Sequence, residues 1–242
     1  PADISWGKEV VAVDECTGFF IEREAAERHF TGDDSLETVV ISAPGKGDMN
    51  FYVMGVNHTD YQKGTEKDKI ISNASCTTKA LAVPMKVLVD AGFEVYGVLM
   101  DTTHAATNTS KPLDFMATYG VLDTIQSAKT GAAIATGKVI PILDGLMDGF
   151  AMRVPTRDGS FANIYLVAEA KGLSANNTEV VAYINSLFEN AVLDPRYVGR
   201  IDVHGGGEIS SPDIIGNTAS SVVSLSKTKV LGIPLPAQKE LG

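Results

Sequence analysis

Apolar and polar positions in the first 75 residues follow a spacing that predicts short strands separated by one helix. Apolar residues concentrate at residues 10–16 and 38–42, which we interpret as strands, and the amphipathic residues 23–30 between them predict a helix. A strand, a helix and a second strand in this order are typical of a parallel βαβ unit. Further apolar runs predict strands at residues 51–56 and 69–72. The pattern therefore predicts part of a parallel, Rossmann-like α/β sheet.

From residue 76 onward the pattern changes to longer strands and longer helices. Helical spacing covers residues 76–91, and residues 178–188 predict a second helix that is capped by Asn177 or Thr178. Helices set against such strands are typical of an α+β domain with a mostly antiparallel sheet. The predicted strands of this part are residues 93–99, 150–155, 162–170, 200–204, 208–210 and 220–225.

The change of pattern places a domain boundary near residue 75. We expect one domain over residues 1–75, a second over residues 76–232, and an irregular tail over residues 233–242, where Pro234 and Pro236 argue against a helix. The chain has 242 residues, of which 44% are hydrophobic, and this is enough to bury the cores of two small domains.

Charge and cysteine content narrow the class of protein. A formal net charge of −10 makes duplex nucleic acid an unfavourable primary partner. No apolar run reaches the ~18 residues that a membrane-spanning helix needs, so we expect no membrane span. The two cysteines, Cys16 and Cys76, provide no disulfide framework and indicate a reducing compartment, for which we expect the cytoplasm.

Cys76 lies in the run Ser-Asn-Ala-Ser-Cys-Thr-Thr at residues 72–78, after an apolar strand and before a helical segment. If the helix begins at Cys76, its unpaired amides and positive dipole end face the sulfur and favour the reactive thiolate. The alternative is a buried, inert cysteine, a common state of a free thiol in a folded protein. We expect Cys16 to be the buried and unreactive one of the pair.

His104 strengthens the reactive interpretation of Cys76. It follows the predicted strand at residues 93–99, and a histidine just past a strand end can fold back towards a thiol at the start of the preceding helix. A Cys/His pair activates the nucleophile and supplies a proton acceptor. The other histidines, His29, His58 and His204, favour structural or solvated roles.

These residues resemble the active-site signature of the glyceraldehyde-3-phosphate dehydrogenase family. The resemblance extends over about residues 5 to 232 and does not depend on the cysteine run alone. Further matching runs occur in the family's order at residues 41–44, 54–58, 103–105, 130–133, 137–141, 153–156 and 210–213.

The resemblance implies a phosphorylating aldehyde dehydrogenase of glycolysis. It implies that Cys76 attacks the aldehyde of glyceraldehyde 3-phosphate, that His104 takes the proton, and that a nicotinamide accepts hydride before inorganic phosphate cleaves the thioester. It also implies NAD as the cofactor, with NADP not excluded, and a homotetramer as the assembly. No metal is implied.

The resemblance further assigns binding residues around the thiol. Ser75, Thr77, Thr130 and Gly131 match the inorganic-phosphate side, and Thr107 with Arg153 matches the substrate-phosphate side. Without the family context, the pattern favours caps or turn hydroxyls for the three threonines. The positions that match the nicotinamide half of the cofactor site are Thr17, Gly18, Ser42 and Ala43.

Several departures from the family pattern leave alternatives open. Lys79 stands where the family has Asn, Ser110 replaces a usual Gln, and residues 115–127 lack the arginine that supplies a second phosphate contact. We also find no glycine-rich pyrophosphate turn and no closing helix, so we expect a partial member that turns over poorly on its own. The alternatives are a cofactor-independent Cys/His acyl-transfer enzyme and a non-catalytic fragment.

Overall fold

The fold is known from a computed structural model, which describes residues 1–30, 35–106 and 124–232. Two four-stranded sheets and one two-stranded sheet account for the strands of this part of the chain. The first of them is wholly parallel, and the second is mixed.

The parallel sheet is built from the first 72 residues in the order β1-β2-β4-β3. Between its first two strands lies the helix α1, Arg23–Ala26, which continues as a 3-10 turn over Glu27–Phe30. This arrangement is the βαβ unit that the sequence predicts. The strands are β1, Ala12–Glu15; β2, Thr38–Ile41; β3, Asn50–Phe51; and β4, Ile70–Ser72.

The prediction of a strand over residues 51–56 is wrong beyond Phe51. The side chain of Asn57 accepts a hydrogen bond from the Val53 amide at 2.9 Å and donates one to the Phe51 carbonyl at 2.8 Å. Gly55 adopts a positive φ of 83°. An asparagine that bonds to nearby backbone closes a turn and competes with strand pairing, so β3 ends early.

The long helix α2, Cys76–Asp90, follows β4 and is buried along most of its length. Its side chains Leu81, Val83 and Met85 have no solvent exposure. A helix that is apolar on nearly all sides is a core helix, and α2 packs against two other helices and both later sheets. The predicted helix over residues 76–91 is thereby confirmed.

The second part of the chain forms a mixed sheet in the order β6-β7-β5-β8 and a small parallel sheet of two strands. In the mixed sheet β5 pairs in parallel with β7, whereas β5–β8 and β6–β7 are antiparallel. The α/β and α+β fold that the sequence predicts is confirmed. The strands are β5, Glu94–Ala105; β6, Gln126–Ala128; β7, Met147–Val154; β8, Ser160–Glu169; β9, Ile201–His204; and β10, Ser221–Ser224.

Three details of the later helices differ from the sequence expectations. The helix α4, Asn177–Leu193, is capped by Asn176 rather than by Asn177 or Thr178. The Asn176 side chain accepts a hydrogen bond from the Thr178 amide at 2.9 Å. The predicted strand at residues 208–210 is wrong: Ser210 caps the short helix α5, Ser211–Ile214, in a capping box with Asp213. The helix α3, Ala132–Val139, was not predicted.

One cluster of buried apolar side chains runs through both parts of the described chain. It includes Val39 and Ile70 of the parallel sheet, Leu81 of α2, Met100 of the mixed sheet and Ile201 of the small sheet. The helix α2 thus connects the sheets through their cores. The expected boundary near residue 75 stays a prediction.

Candidate active site

The turns that follow strands β1, β2 and β4 meet at one edge of the parallel sheet. In a parallel sheet the carboxyl ends of the strands lie on the same edge, and ligands bind in the crevice outside it. Thr17, Gly18 and Ser42 are exposed there and Ala43 is half-buried. Gly18 has a positive φ of 76° and open space where a side chain would project. The four residues that match the nicotinamide positions by resemblance therefore lie on neighbouring turns at the edge where parallel sheets generally bind ligands.

Ser72, the last residue of β4, ties two of these turns together. Its buried hydroxyl donates to the Ala43 carbonyl at 2.8 Å and accepts from the amides of Gly45 and Ala74, each at 3.1 Å. Ala74 has a positive φ of 55°, a conformation that costs an L-residue about 1–2 kcal/mol. The hydrogen bonds of Ser72 fix this turn and so determine where α2 begins.

The first turn of α2 places Cys76 at the positive end of the helix. Ser75 is the N-cap, and its hydroxyl accepts from the Thr78 amide at 3.0 Å and lies 2.7 Å from the Thr78 hydroxyl. Cys76 is the first helical residue and its side chain is exposed. Unpaired amides and the helix dipole stabilise negative charge at this position.

His104 lies next to the thiol, 3.8 Å from Nε2 to the Cys76 Sγ. Its Nδ1 is 2.9 Å from the Ala105 carbonyl, which can only accept, so Nδ1 carries the proton and Nε2 is free to accept one. The sequence placed His104 just past a strand end, which is wrong because β5 continues to Ala105. Pairing with strands on both sides extends β5 and fixes the backbone of His104, while the Ala105 carbonyl orients its ring.

Arg153 is the register partner of His104 across the parallel pair β5–β7. Its Nη1 donates to the Ala105 carbonyl at 3.1 Å, the same oxygen that His104 engages. The guanidinium is half-buried, and among the described residues no carboxylate forms an ion pair with it. It therefore retains donors for an anion beside His104.

The remaining predicted phosphate residues fall at helix starts. The Thr77 hydroxyl lies 3.9 Å from the Cys76 Sγ. Gly131 is the N-cap of α3, and the Thr130 hydroxyl accepts from the Ala132 amide at 3.2 Å. Ser75 thus caps α2, and the Thr130 hydroxyl closes the turn at the start of α3, which is the other role that the sequence left open for the threonines. Thr107 lies outside the described residues.

Lys79 is a residue of this site that sequence reasoning noted only as a departure. It lies three positions after Cys76 on α2, so the two side chains share a helix face. Burial lowers the pKa of Lys79 from its ordinary value, and the nearby Cys76 thiolate acts in the opposite direction. The spacing of three residues between Cys76 and Lys79 was the feature of the sequence from which this proximity could have been predicted.

The expectation that Cys16 is buried is wrong. Cys16 is exposed, because it directly follows β1 and its neighbour Glu15 takes the inward position.

The parts of the chain that the structure describes hold no cluster of three His, Cys, Asp or Glu side chains suited to a metal ion. None of the helices among the described residues is long and apolar enough to cross a membrane.

Comparison with known proteins gives a consistent result. Residues 75–239 match the family model described as glyceraldehyde 3-phosphate dehydrogenase, C-terminal domain. A glyceraldehyde-3-phosphate dehydrogenase of Bacteroides fragilis (strain YCH46) is 42% identical over 176 residues, which cover 70% of this chain and 51% of that protein. One of Streptomyces coelicolor is 38% identical over 236 residues, covering 95% of this chain and 66% of its own. A third, from Chlamydia pneumoniae, is 45% identical over 156 residues, covering 62% and 45%. The chain thus spans about half to two thirds of the length of these relatives.

Proposed function

Because this chain belongs to the glyceraldehyde-3-phosphate dehydrogenase family, we propose that it carries the machinery for the phosphorylating oxidation of glyceraldehyde 3-phosphate in glycolysis. The observation that carries the proposal is the exposed Cys76 thiol at the start of α2, 3.8 Å from a His104 Nε2 that is free to accept a proton. A nucleophile, its base and an orienting contact for that base form the arrangement used in covalent catalysis.

The first chemical step is addition of the thiol to the aldehyde. The Cys76 Sγ forms a bond to the carbonyl carbon, the π electrons move to the oxygen, and His104 Nε2 takes the thiol proton. The resulting oxyanion accepts hydrogen bonds from the Cys76 amide and the protonated His104. Because the Ala105 carbonyl holds Nδ1, the proton that His104 gains is directed at the reacting oxygen.

The second step converts the adduct to an acyl group on sulfur. When bound, the nicotinamide supplies an acceptor for the hydride that leaves the carbon. As the hydride departs, the oxyanion re-forms the carbonyl and Cys76 holds a thioester. Attack of a phosphate oxygen on that carbon breaks the C–S bond, releases an acyl phosphate and returns Cys76 as the thiolate.

The residues at the carboxyl edge of the parallel sheet suit such a cofactor. Thr17 and Ser42 present hydroxyls, Ala43 presents a small surface, and Gly18 leaves open space beside them. We therefore assign the nicotinamide half to these four residues, with NAD as the proposed dinucleotide. The unpaired, exposed cysteines support a reducing compartment, and we propose the cytoplasm.

Two groups of residues serve the phosphates in this proposal. Arg153, with free donors beside His104, takes the substrate phosphate together with Thr107. The inorganic phosphate that attacks the thioester is assigned to the helix starts around the thiol, where unpaired amides favour anions. Its residues are Ser75, Thr77, Thr130 and Gly131.

The outer face of the mixed sheet supports a homo-oligomer. Large apolar side chains from three adjacent strands are exposed on it, with Phe161 at 38% and Tyr165 at 58% of full exposure. A contiguous apolar patch of this kind marks a protein interface. We propose that it meets a second copy of this chain in the tetramer expected from the family. Its other members are Leu99, Phe150 and Val167.

The test follows the absorbance of reduced nicotinamide with glyceraldehyde 3-phosphate, phosphate and either dinucleotide. Because we expect slow turnover from these 242 residues, the protein is used at micromolar concentration, where one hydride per Cys76 is visible. Reduction should require phosphate for more than one turnover, vanish in Cys76→Ser and persist in Cys16→Ser, the matched control.

Two results would contradict the proposal. Reduction that survives Cys76→Ser would remove the thiol from the chemistry. Hydrolysis of an activated ester that depends on Cys76 and His104, with no reduction of either dinucleotide, would instead favour a cofactor-independent acyl-transfer enzyme.

A further inference from the structure

The buried side chains of Glu15 and His29 lie next to the carboxyl edge of the parallel sheet and have no part in the chemistry described above. Glu15 is 3% exposed and His29 is 4% exposed, and Glu15 Oε2 lies 2.9 Å from His29 Nε2. Burying such a pair in place of apolar side chains brings a fold little or no stability. Because apolar side chains would serve the stability of the fold as well, any second role of the pair must be argued from its other contacts.

Glu15 is the last residue of β1, and its other oxygen holds the turn that follows. Oε1 accepts from the Thr17 amide at 2.7 Å and also from the Thr17 hydroxyl, whose oxygen in turn accepts from the Phe19 amide at 3.2 Å. Burial alone would raise the pKa of Glu15, but the hydrogen bonds from Thr17 and His29 outweigh it and hold the pKa below its ordinary value. Glu15 is therefore an ionised acceptor that three donors satisfy.

His29 is itself fixed from the opposite side. Its ring packs against Trp6, with 5.6 Å between ring centroids, and edge-on against Phe20 at 5.9 Å. Nδ1 is buried and has no hydrogen-bond partner among the described residues, so Nε2 carries the ring proton and donates it to Glu15. The imidazole thus works as a rigid donor that keeps the carboxylate in place.

We infer that Glu15 and His29 are positioning residues for the dinucleotide: His29 orients Glu15, and Glu15 sets the Thr17–Phe19 turn in the conformation that receives the nicotinamide half. The inference rests on the proposed function, since Thr17 and Gly18 are assigned there to the cofactor. What it adds is the connection from a buried pair to an exposed binding turn. Neither residue touches the ligand; both act through Thr17.

The test compares two matched pairs of variants of the full chain. Glu15→Gln replaces one acceptor oxygen with a donor, so at least one of the three hydrogen bonds is lost, whereas Glu24→Gln changes an exposed glutamate of α1 and is the control. His29→Leu removes the donor, while the amide nitrogen of His29→Gln can still donate to Glu15. If Glu15→Gln does not fold, the comparison of His29→Leu with His29→Gln still tests the inference.

Two measurements are made on each variant. The dissociation constant for NAD is read from the fluorescence of Trp6, the only tryptophan. Hydrogen exchange then follows the amides of residues 17–19. We expect Glu15→Gln and His29→Leu to weaken NAD binding about tenfold, the size of one lost hydrogen bond to a charged group, and to speed exchange at the turn. Alkylation of Cys76 should keep its rate, and Glu24→Gln and His29→Gln should bind NAD within about twofold of the unmodified chain.

The outcomes separate this inference from the proposed function. Failure of the unmodified chain to bind NAD would overturn the cofactor assignment and the inference together. Binding by the unmodified chain that is unchanged in Glu15→Gln and His29→Leu would overturn the inference alone. A slowed Cys76 reaction in those variants would show a general loss of fold and would also refute a positioning role.

Discussion

Removal of the positive charge at Lys79 should change how Cys76 reacts with anions. Lys79 is half-buried in the first turn of α2, and that turn contains no acidic side chain. No carboxylate of the described residues forms an ion pair with Lys79. A cation at the positive end of a helix is electrostatically unfavourable. Burial lowers the pKa of Lys79 from its ordinary value. Negative charge at the Cys76 sulfur, or on a reagent that approaches it, offsets this cost.

The size of the effect follows from the spacing of the two side chains. Residues three apart on a helix have Cβ atoms about 5–6 Å apart. Unit charges ~6 Å apart interact by about 0.7 kcal/mol at the dielectric constant of water and by roughly twice that at half this value. Lys79 is partly solvated and salt screens it, so the lower figure applies. Lys79→Met should therefore slow the attack of an anionic reagent about threefold more than that of a neutral one.

The assay uses iodoacetate and iodoacetamide, which react alike but differ in charge. Mass spectrometry follows the labelling of Cys76 and, in the same molecule, of the exposed Cys16. The iodoacetate-to-iodoacetamide rate ratio should fall about threefold at Cys76 in Lys79→Met and stay constant at Cys16. Lys79→Arg should preserve the ratio, as should Lys171→Met, which removes a distant exposed cation. An equal ratio at Cys76 in Lys79→Met and the unmodified chain would refute the reasoning.

Three further outcomes are expected. Ser75→Ala removes the N-cap of α2 and should lower the free energy of unfolding by about 1 kcal/mol in urea denaturation, and an unchanged midpoint would contradict the capping role. His104→Asn should slow iodoacetamide labelling of Cys76 at neutral pH, since the proton acceptor at 3.8 Å is lost. Equal labelling rates in His104→Asn and the unmodified chain would show that His104 does not activate the thiol. Burial alone would raise the pKa of Asp68, but hydrogen bonds from Asn50, Tyr52 and the Gln62 amide outweigh it and hold the pKa below its ordinary value, as those from Thr17 and His29 do for Glu15. The stabilisation from both carboxylates is therefore present above about pH 4.5 and is lost as the pH falls through the lowered values, and chemical denaturation should show constant stability from pH 7 to 5.5 and a decline below 4.5.

Much of the fold could be predicted from the sequence because the spacing of apolar residues indicates the strands and helices. The strands β1, β2 and β4 and the helix α2 lie within their predicted ranges, since each buries a regular apolar set. The helix α3 escaped prediction because its eight residues are mostly small and lack a clear polar face. Gly137 belongs there because a Cβ would lie 3.0 Å from the Asp144 backbone, a contact that only the folded chain creates.

The site was accessible to a lesser extent. The sequence paired Cys76 with His104 from the motif and the strand between them, but it ended that strand too early, since cross-strand pairing with β7 and β8 extends β5. It gave His29 a structural or solvated role and expected Cys16 to be buried. The expectation for Cys16 is wrong because Glu15 takes the inward position at the end of β1, whereas His29 is buried in a structural role against Glu15, 14 positions away. The local pattern of apolar and polar residues does not predict a contact between residues so far apart in the sequence.

The geometry at Cys76 depends on residues outside its own motif. Ala74 adopts a left-handed φ of 55° that an alanine avoids in a free chain. The compensation comes from Ser72, whose hydroxyl binds the Ala74 amide and, at the same time, the backbone of Ala43 and Gly45 after β2. Because those contacts exist only when β2 and β4 pair in the sheet, the parallel sheet itself places the thiol. The same seven-residue motif in a chain without that sheet would not present Cys76 to His104, and the geometry of this pair is therefore a property of the fold as much as of the motif.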